Sequence, residues 1–242
     1  MRQVLIVFAD FEIEIFCEQM KPLIKKFFSL FNKNKNQRRA QSLVEFAISL
    51  PVLIMLFTGM VEYGFMLNTY LSLQDAARTA ARRYSTVNPF NADNTINPAF
   101  FQDAAAYVID QLAPSDDPES RQIILLPDRD NILISLIGVE VDESTDPDTI
   151  VGIQRFSDGL YYKEFGATDP PSNFSDENIE AFVTANGQEP ADAGLLIIEL
   201  YYGYEGTLHM PWTEPFFSPG NPTMLYISVV MPTIYAKPFD QG

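Results

Sequence analysis

Cysteine is nearly missing from this chain: Cys17 is the only one in 242 residues. Everything after position 17 therefore lacks a disulfide framework, and a thiolate cluster for zinc is excluded there. Cys17 follows Phe16, not the small residue that a lipid-attachment cysteine needs, so it reads as an unpaired thiol. Histidine is equally scarce. His209 stands alone in "GTLHMPW", away from any nucleophile pattern. No glycine-rich phosphate loop, HExxH or GxSxG motif occurs, so we expect no enzymatic activity and no nucleotide chemistry.

Positive charge is the next shortage. From Tyr84 to Gly242 there are five basic residues against 25 acidic ones, a net charge of −20. Such a surface repels nucleic acid and stays soluble. The bases are concentrated at the other end: residues 1–40 hold eight Lys/Arg and four acids.

Between these regions charge of either sign disappears. The 16 residues Phe46–Val61 are uncharged, with Glu45 opening the run and Glu62 closing it. Leu43–Val61 spans 19 residues; at about 1.5 Å per residue that is roughly 28 Å, close to a hydrocarbon core. Seven Lys/Arg and no acid lie between Gln19 and Val44, whereas the first base after Val61 is Arg78. The positive-inside bias predicts a single-pass protein of the cytoplasmic membrane, N-terminus inside and acidic region outside. Pro51 removes one backbone donor, which membrane helices tolerate, and Gly59 admits a close neighbour. Helical spacing continues through "YLSLQDAARTAARRY", where Ala76, Ala77, Ala80 and Ala81 form a small-residue stripe. A helix from Ser42 to Tyr84 would be roughly 65 Å long. Such a stalk wants a partner along it, either the protein's own sheet or the helices of sister subunits.

An acid one turn inside a membrane costs about 2–3 kcal/mol unless it snorkels or pairs with a cation. Glu45 can sit at the cytoplasmic interface near Arg38 and Arg39. Glu62 lies ~25 Å further along, at the level of the outer headgroups.

Beyond the stalk, "NPFNADNTINP" breaks the helix and "PAFFQDAAAYVIDQLAP" predicts a second one, with Pro98 at its start and Pro114 beyond its end. Its face is Phe101, Ala105, Val108, Ile109 and Leu112. The runs "RQIILL", "NILISLIGVEV", "GLLIIELYYGYEG" and "MLYISVVMPTIYA" predict strands. The stretch Asp142–Pro190 reads as long acidic loops with one short strand near Ile150–Phe156. The fold class is α+β: a long N-terminal transmembrane and stalk helix, then an extracytoplasmic domain with a helix and an antiparallel sheet. The expected division is a basic leader over 1–40, helix and stalk over 41–85, and the acidic domain over 86–242. Within the loops, Asp142, Glu143, Asp146 and Asp148 group oxygen donors that calcium could use, although their spacing is not that of an EF-hand. No other metal or cofactor is expected. Tyr161, Tyr162, Tyr201, Tyr202, Tyr204, Trp212, Phe216 and Phe217 supply strand and core packing, with some left for contact.

As an ordered set, "RRAQSLVEFAISLPVLIMLFTGMVEYGFMLNTYLSLQDAARTAARRYS" resembles the N-terminal module of TadE-like proteins of the tight-adherence pilus system. The resemblance covers Arg38–Ser85. It implies a pilin-like minor subunit or pilus assembly component, with other pilins and pilus assembly membrane proteins as partners, reaching the cell surface once assembled. It also implies a prepilin peptidase cutting between Ala40 and Gln41, which would make Glu45 the fifth residue of the mature helix. Ala40 stands where such cleavage usually follows glycine, and Phe46 where tyrosine is common, so a cleaved chain and an uncleaved anchor are both open. Glu45 and Glu62 would then be intramembrane acids matched between subunits, setting axial register. The alternating "FEIEIF" at Phe11–Phe16 is unlike a processed leader and suggests a start at Met20 or an added extension. The other reading of the whole chain is a single-pass surface receptor or adhesin, binding a ligand or divalent cation through its acidic loops.

Overall fold

Four β-branched runs and two helices account for most of the architecture. A computed structural model describes residues 38–114, 116, 122–142, 144, 149–156, 161–184 and 193–236. The chain divides into two units, Met1–Leu56 and Phe57–Gly242. Phe11–Phe16, Cys17 and Met20 lie outside the described residues.

Helix α1 runs from Arg38 to Tyr84 with Pro51 inside it. Arg82 and Arg83 in its last turn complement the negative end of the helix dipole. Arg83 also lies over the Tyr107 ring at 4.7 Å. Val52 to Leu56 are each between 45% and 65% exposed. Five successive residues at 100° intervals cover the whole circumference, so this part of the helix is apolar all round. It is long and apolar enough to cross a membrane.

In the larger unit, helix α2 (Pro98–Leu112) starts where Asn97 accepts the Ala99 N–H at 3.1 Å, with Pro98 in the first turn. Phe101, Ala104, Ala105, Val108 and Leu112 make its buried face. The strands are β1 (Asn131–Asp142), β2 (Thr149–Arg155), β3 (Tyr162–Phe165), β4 (Ala193–Tyr204) and β5 (Thr223–Thr233). All pairings are antiparallel, in the order β2-β1-β4-β5. Strand β3 shares with β2 the same edge of β1: β2 runs beside Ile137–Asp142 and β3 beside Ile132–Ile134. Helix α3 (Asp176–Val183) is capped by Ser175, with Asp176 and Glu177 in its first turn.

Both faces of β1 are buried, which is why its sequence is a nearly unbroken apolar run and not an alternation. On one face Ile132, Ile134 and Leu136 oppose Leu200, Ile198 and Leu196 of β4. This layer packs with Leu73, Ala76, Ala77, Ala80 and Ala81 of α1 and with the buried face of α2. On the other face Ile137, Val139, Leu195 and Ile197 gather under Ile179 of α3. The alanine stripe therefore lies in the core of its own domain, where small side chains let a helix approach closely.

The α+β class, the antiparallel sheet and the long N-terminal helix are as expected. One expected strand is absent: Gln122–Leu126, within "RQIILL", pairs with no strand. Ile123 and Leu125 are buried and Ile124 and Leu126 exposed, so the side chains alternate as in a strand. The backbone, however, spends its donors on the end of α2 and on a side chain, Ile123 N–H on Leu112 O at 2.8 Å and Leu126 N–H on Asp130 Oδ2 at 2.7 Å. Conversely, β3 and α3 fall inside the acidic stretch expected to be mostly loop. Their apolar residues are few, and tertiary contact with β1 and the second face supplies what local pattern does not.

Ala77 is fully buried in the core cluster that α1 shares with α2 and the sheet. Ala77→Leu is expected to overpack that seam and cost about 1–3 kcal/mol, read as a lowered urea midpoint of the detergent-solubilised chain. An unchanged midpoint would mean the helix is not closely packed in that core.

Candidate functional site

Strand β4 ends at Tyr204, and the chain turns at Gly206 with φ +85°, a left-handed conformation that suits glycine. A Cβ here would also come within 3.0 Å of Phe217 Cβ. The turn aims two successive backbone donors at Glu62 of α1. Glu62 Oε1 accepts the Tyr204 hydroxyl at 2.6 Å and the Thr207 N–H at 2.6 Å, while Oε2 accepts the Leu208 N–H at 2.8 Å. The Glu62 side chain is fully buried. One helical turn earlier, Thr58 Oγ1 accepts the indole N–H of Trp212 at 3.0 Å. The loop between β4 and β5 is thus tied to α1 at positions i and i+4 of one helix face. Phe217 closes the junction edge-on to Tyr204, with 5.6 Å between ring centroids.

Two other buried acids serve the same strand. Asp130, fully buried, accepts Gly203 N–H at 2.9 Å, Arg129 Nε–H at 2.8 Å and Leu126 N–H at 2.7 Å. Arg129 also pairs with Glu205. Glu199, in β4 itself and fully buried, accepts the Tyr226 hydroxyl at 2.7 Å, Asn173 N–H at 3.1 Å and the Ser172 hydroxyl. Each carboxylate lost its water on folding and is met by at least three donors, the condition under which a buried charge is tolerated. Burial, together with the nearby Glu199 charge and Tyr161, pushes the Tyr201 phenol up to about 12. Burial and the Glu199 hydrogen bond raise Tyr226 as well.

Glu62, expected at headgroup level as an acid matched by sister molecules, has its donors in its own chain. The Gly206 turn brings two amides and a phenol to it, and these occupy both oxygens. Glu45 is exposed on α1. Ala40 and Gln41 belong to the first turns of α1, and Pro51 lies within it. A Cβ added at Gly59 would meet nothing within 4 Å among the described residues. Ala76, Ala77, Ala80 and Ala81 are buried as described. Asp142 ends β1 and accepts the Ser144 N–H at 2.8 Å, whereas Glu143, Asp146 and Asp148 lie outside the described residues. Among the described residues, no cluster of three His, Cys, Asp or Glu could hold a metal ion.

Thr207 and Leu208 escaped the sequence reading, and Tyr204 and Trp212 were expected there only as packing or contact aromatics, not as partners of α1. They lie 142–154 positions from their partners on α1, and two of them act through backbone amides, which leave no mark on residue type.

The fold and this site define a class: an α+β head domain locked to a long helix whose N-terminal part is apolar on every side. Residues 40–82, the segment that carries Glu45, Glu62 and the alanine stripe, match the family model described as TadE-like protein. The resemblance read from the residues is borne out over that segment. Comparisons with curated proteins and with solved structures gave no match.

Glu62→Ala strands three donors, two of them backbone amides; hydrogen bonds to a charged acceptor are worth about 1.5–3 kcal/mol each. We expect a loss of about 2–4 kcal/mol with faster hydrogen exchange at Thr207 and Leu208, and a smaller loss for Tyr204→Phe. Unchanged exchange at both amides would disprove the lock. The tyrosines give a pH test. A phenol raised in the folded state contributes stability that is complete below its unfolded value of 10.0 and disappears as pH climbs through about 12. The urea midpoint should fall over that window, and Tyr201→Phe should flatten the fall.

Proposed function

We propose that this chain is a non-enzymatic, membrane-anchored component of a tight-adherence pilus, a pilin-like minor subunit contributing to filament assembly or adhesion. The observation that carries the reading is the TadE-like match over residues 40–82, which falls on the helix whose N-terminal part is apolar around its circumference. Supporting it is the charge order of the chain, with seven bases before the span and the acidic head after it. In this reading the helix crosses the cytoplasmic membrane once, N-terminus inside, and the head works outside with other pilins and pilus assembly membrane proteins.

Glu45 is the residue assigned to subunit register. Cleavage by a prepilin peptidase between Ala40 and Gln41 would free an amine close to it, and a base on a neighbouring subunit would serve equally. In a low-dielectric layer such pairing recovers several kcal/mol of lost solvation and favours one axial offset. Glu62 is given a different duty in this reading, because its oxygens accept hydrogen bonds from the β4–β5 loop. Its role is to couple helix and head, so that a pull on one is felt by the other.

Deletion of the gene separates assembly from reception. Loss of filaments is the expected result; intact filaments with weaker adhesion would indicate a surface receptor instead. Glu45→Gln is expected to leave the chain in the membrane fraction but to abolish its incorporation into pili, scored by immunoblot of sheared filaments. Mass spectrometry of the mature N-terminus reports directly on cleavage at Ala40.

A further inference from the structure

The tip of the β4–β5 loop turns apolar side chains away from the core. Phe216 is 65% exposed, Pro211 and Pro215 are exposed, and Trp212 and Met210 are half-buried. The tip is ordered by its own hydrogen bonds: Met210 O accepts the N–H groups of Thr213 at 2.8 Å and Glu214 at 3.0 Å. Asn221 Nδ2 holds Pro215 O at 3.2 Å and Thr223 Oγ1 holds Phe216 O at 2.7 Å. An apolar tip held this firmly in an exposed position is arranged to meet something.

Its depth identifies what. Trp212 is bonded to Thr58, and Thr58 lies inside the uncharged run that ends at Val61. About 20 helical residues, roughly 30 Å, cross the hydrocarbon layer, so a span that begins at Leu43 ends near Glu62. The loop is therefore fastened to the last turn of the span and shares its level at the outer interface. Tryptophan is the residue enriched at that level, with an apolar ring and one polar hydrogen to satisfy. The loop itself offers no Lys or Arg to anionic lipid: none occurs between Lys163 and Lys237, Arg129 at its base is paired with Asp130 and Glu205, and Glu214 is exposed at the tip. Contact must come from buried apolar area, not from charge.

We propose that the tip of the β4–β5 loop, through Trp212 and Phe216, is a membrane-seating element that rests in the headgroup–acyl boundary of a zwitterionic lipid surface. It gives the head domain a second attachment to the bilayer beside its helix. The inference rests on the reading of α1 as a membrane anchor.

Trp212 is the only tryptophan in the chain, so it reports its own surroundings. The full-length protein is reconstituted in phosphatidylcholine vesicles that carry bromine at either shallow or deep acyl positions. The proposal expects strong quenching by shallow bromine, weak quenching by deep bromine and little by aqueous iodide. Phe216→Ser should lose most of the shallow quenching while hydrogen exchange at Thr207 and Leu208 stays slow, which shows the loop still docked. Adding anionic lipid should leave the quenching unchanged or reduced; an increase would overturn the apolar mechanism. Flotation distinguishes the two readings. A chain that fails to float with vesicles defeats the anchor itself. A chain that floats with Trp212 open to iodide, or shielded from iodide and both bromines by a second protein chain, defeats only the seating element.

Discussion

The Glu62 carboxylate, enclosed by two amides and a phenol, is the contact on which the arrangement of helix and head depends. A carboxylate without its water needs donors, and a helix interior has none to give, because its amides are spent on its own carbonyls. Glu62 can therefore be buried only if another element brings donors to it. The β4–β5 loop does this, and in doing so it fixes the register of β4 against α1. Thr58 and Trp212 repeat the tie one turn away, so the helix can neither slide nor rotate past the sheet without breaking both.

Strand β4 concentrates this logic. Asp130 holds its backbone at Gly203, Glu199 stands within it and Glu62 takes its last hydroxyl at Tyr204. Three acids of a strongly acidic chain are thus converted from surface charge into internal acceptors. Their burial explains why the domain can carry so many carboxylates around an apolar sheet and still hold them in defined geometry. Arg129, one of the few bases in the head, is spent on this cluster, pairing with both Asp130 and Glu205.

In the proposed role of a pilus component the coupling has mechanical meaning. A helix held among other subunits, as that role requires, and a head outside it would transmit load only if their junction resists shear. Alanines of α1 buried in the head's own core give close packing, and the Glu62 lock gives direction. The N-terminal part of the helix is apolar on every side, which in the proposed role suits lipid or neighbouring helices.

Much of this was legible in residue order. The uncharged run, the basic flank and the alanine stripe are local patterns, and each predicts one helix with one apolar character. The strands β1, β4 and β5 were equally plain, since β-branched runs bounded by Gly, Pro and Asp have few other uses. Helix α3 carried a readable signal in Ser175 and two following acids, which its acidic surroundings masked. "RQIILL" misled because alternation describes where side chains go, and says nothing of which backbone groups pair. Charge order and hydropathy, then, were settled by sequence alone, because they are sums over neighbours along the chain. Which acid is exposed and which is enclosed, and that a tryptophan in a distant loop meets Thr58, only the tertiary structure decided. Those facts depend on backbone donors and on contacts across about 150 residues, and neither is written in the identity of any single residue.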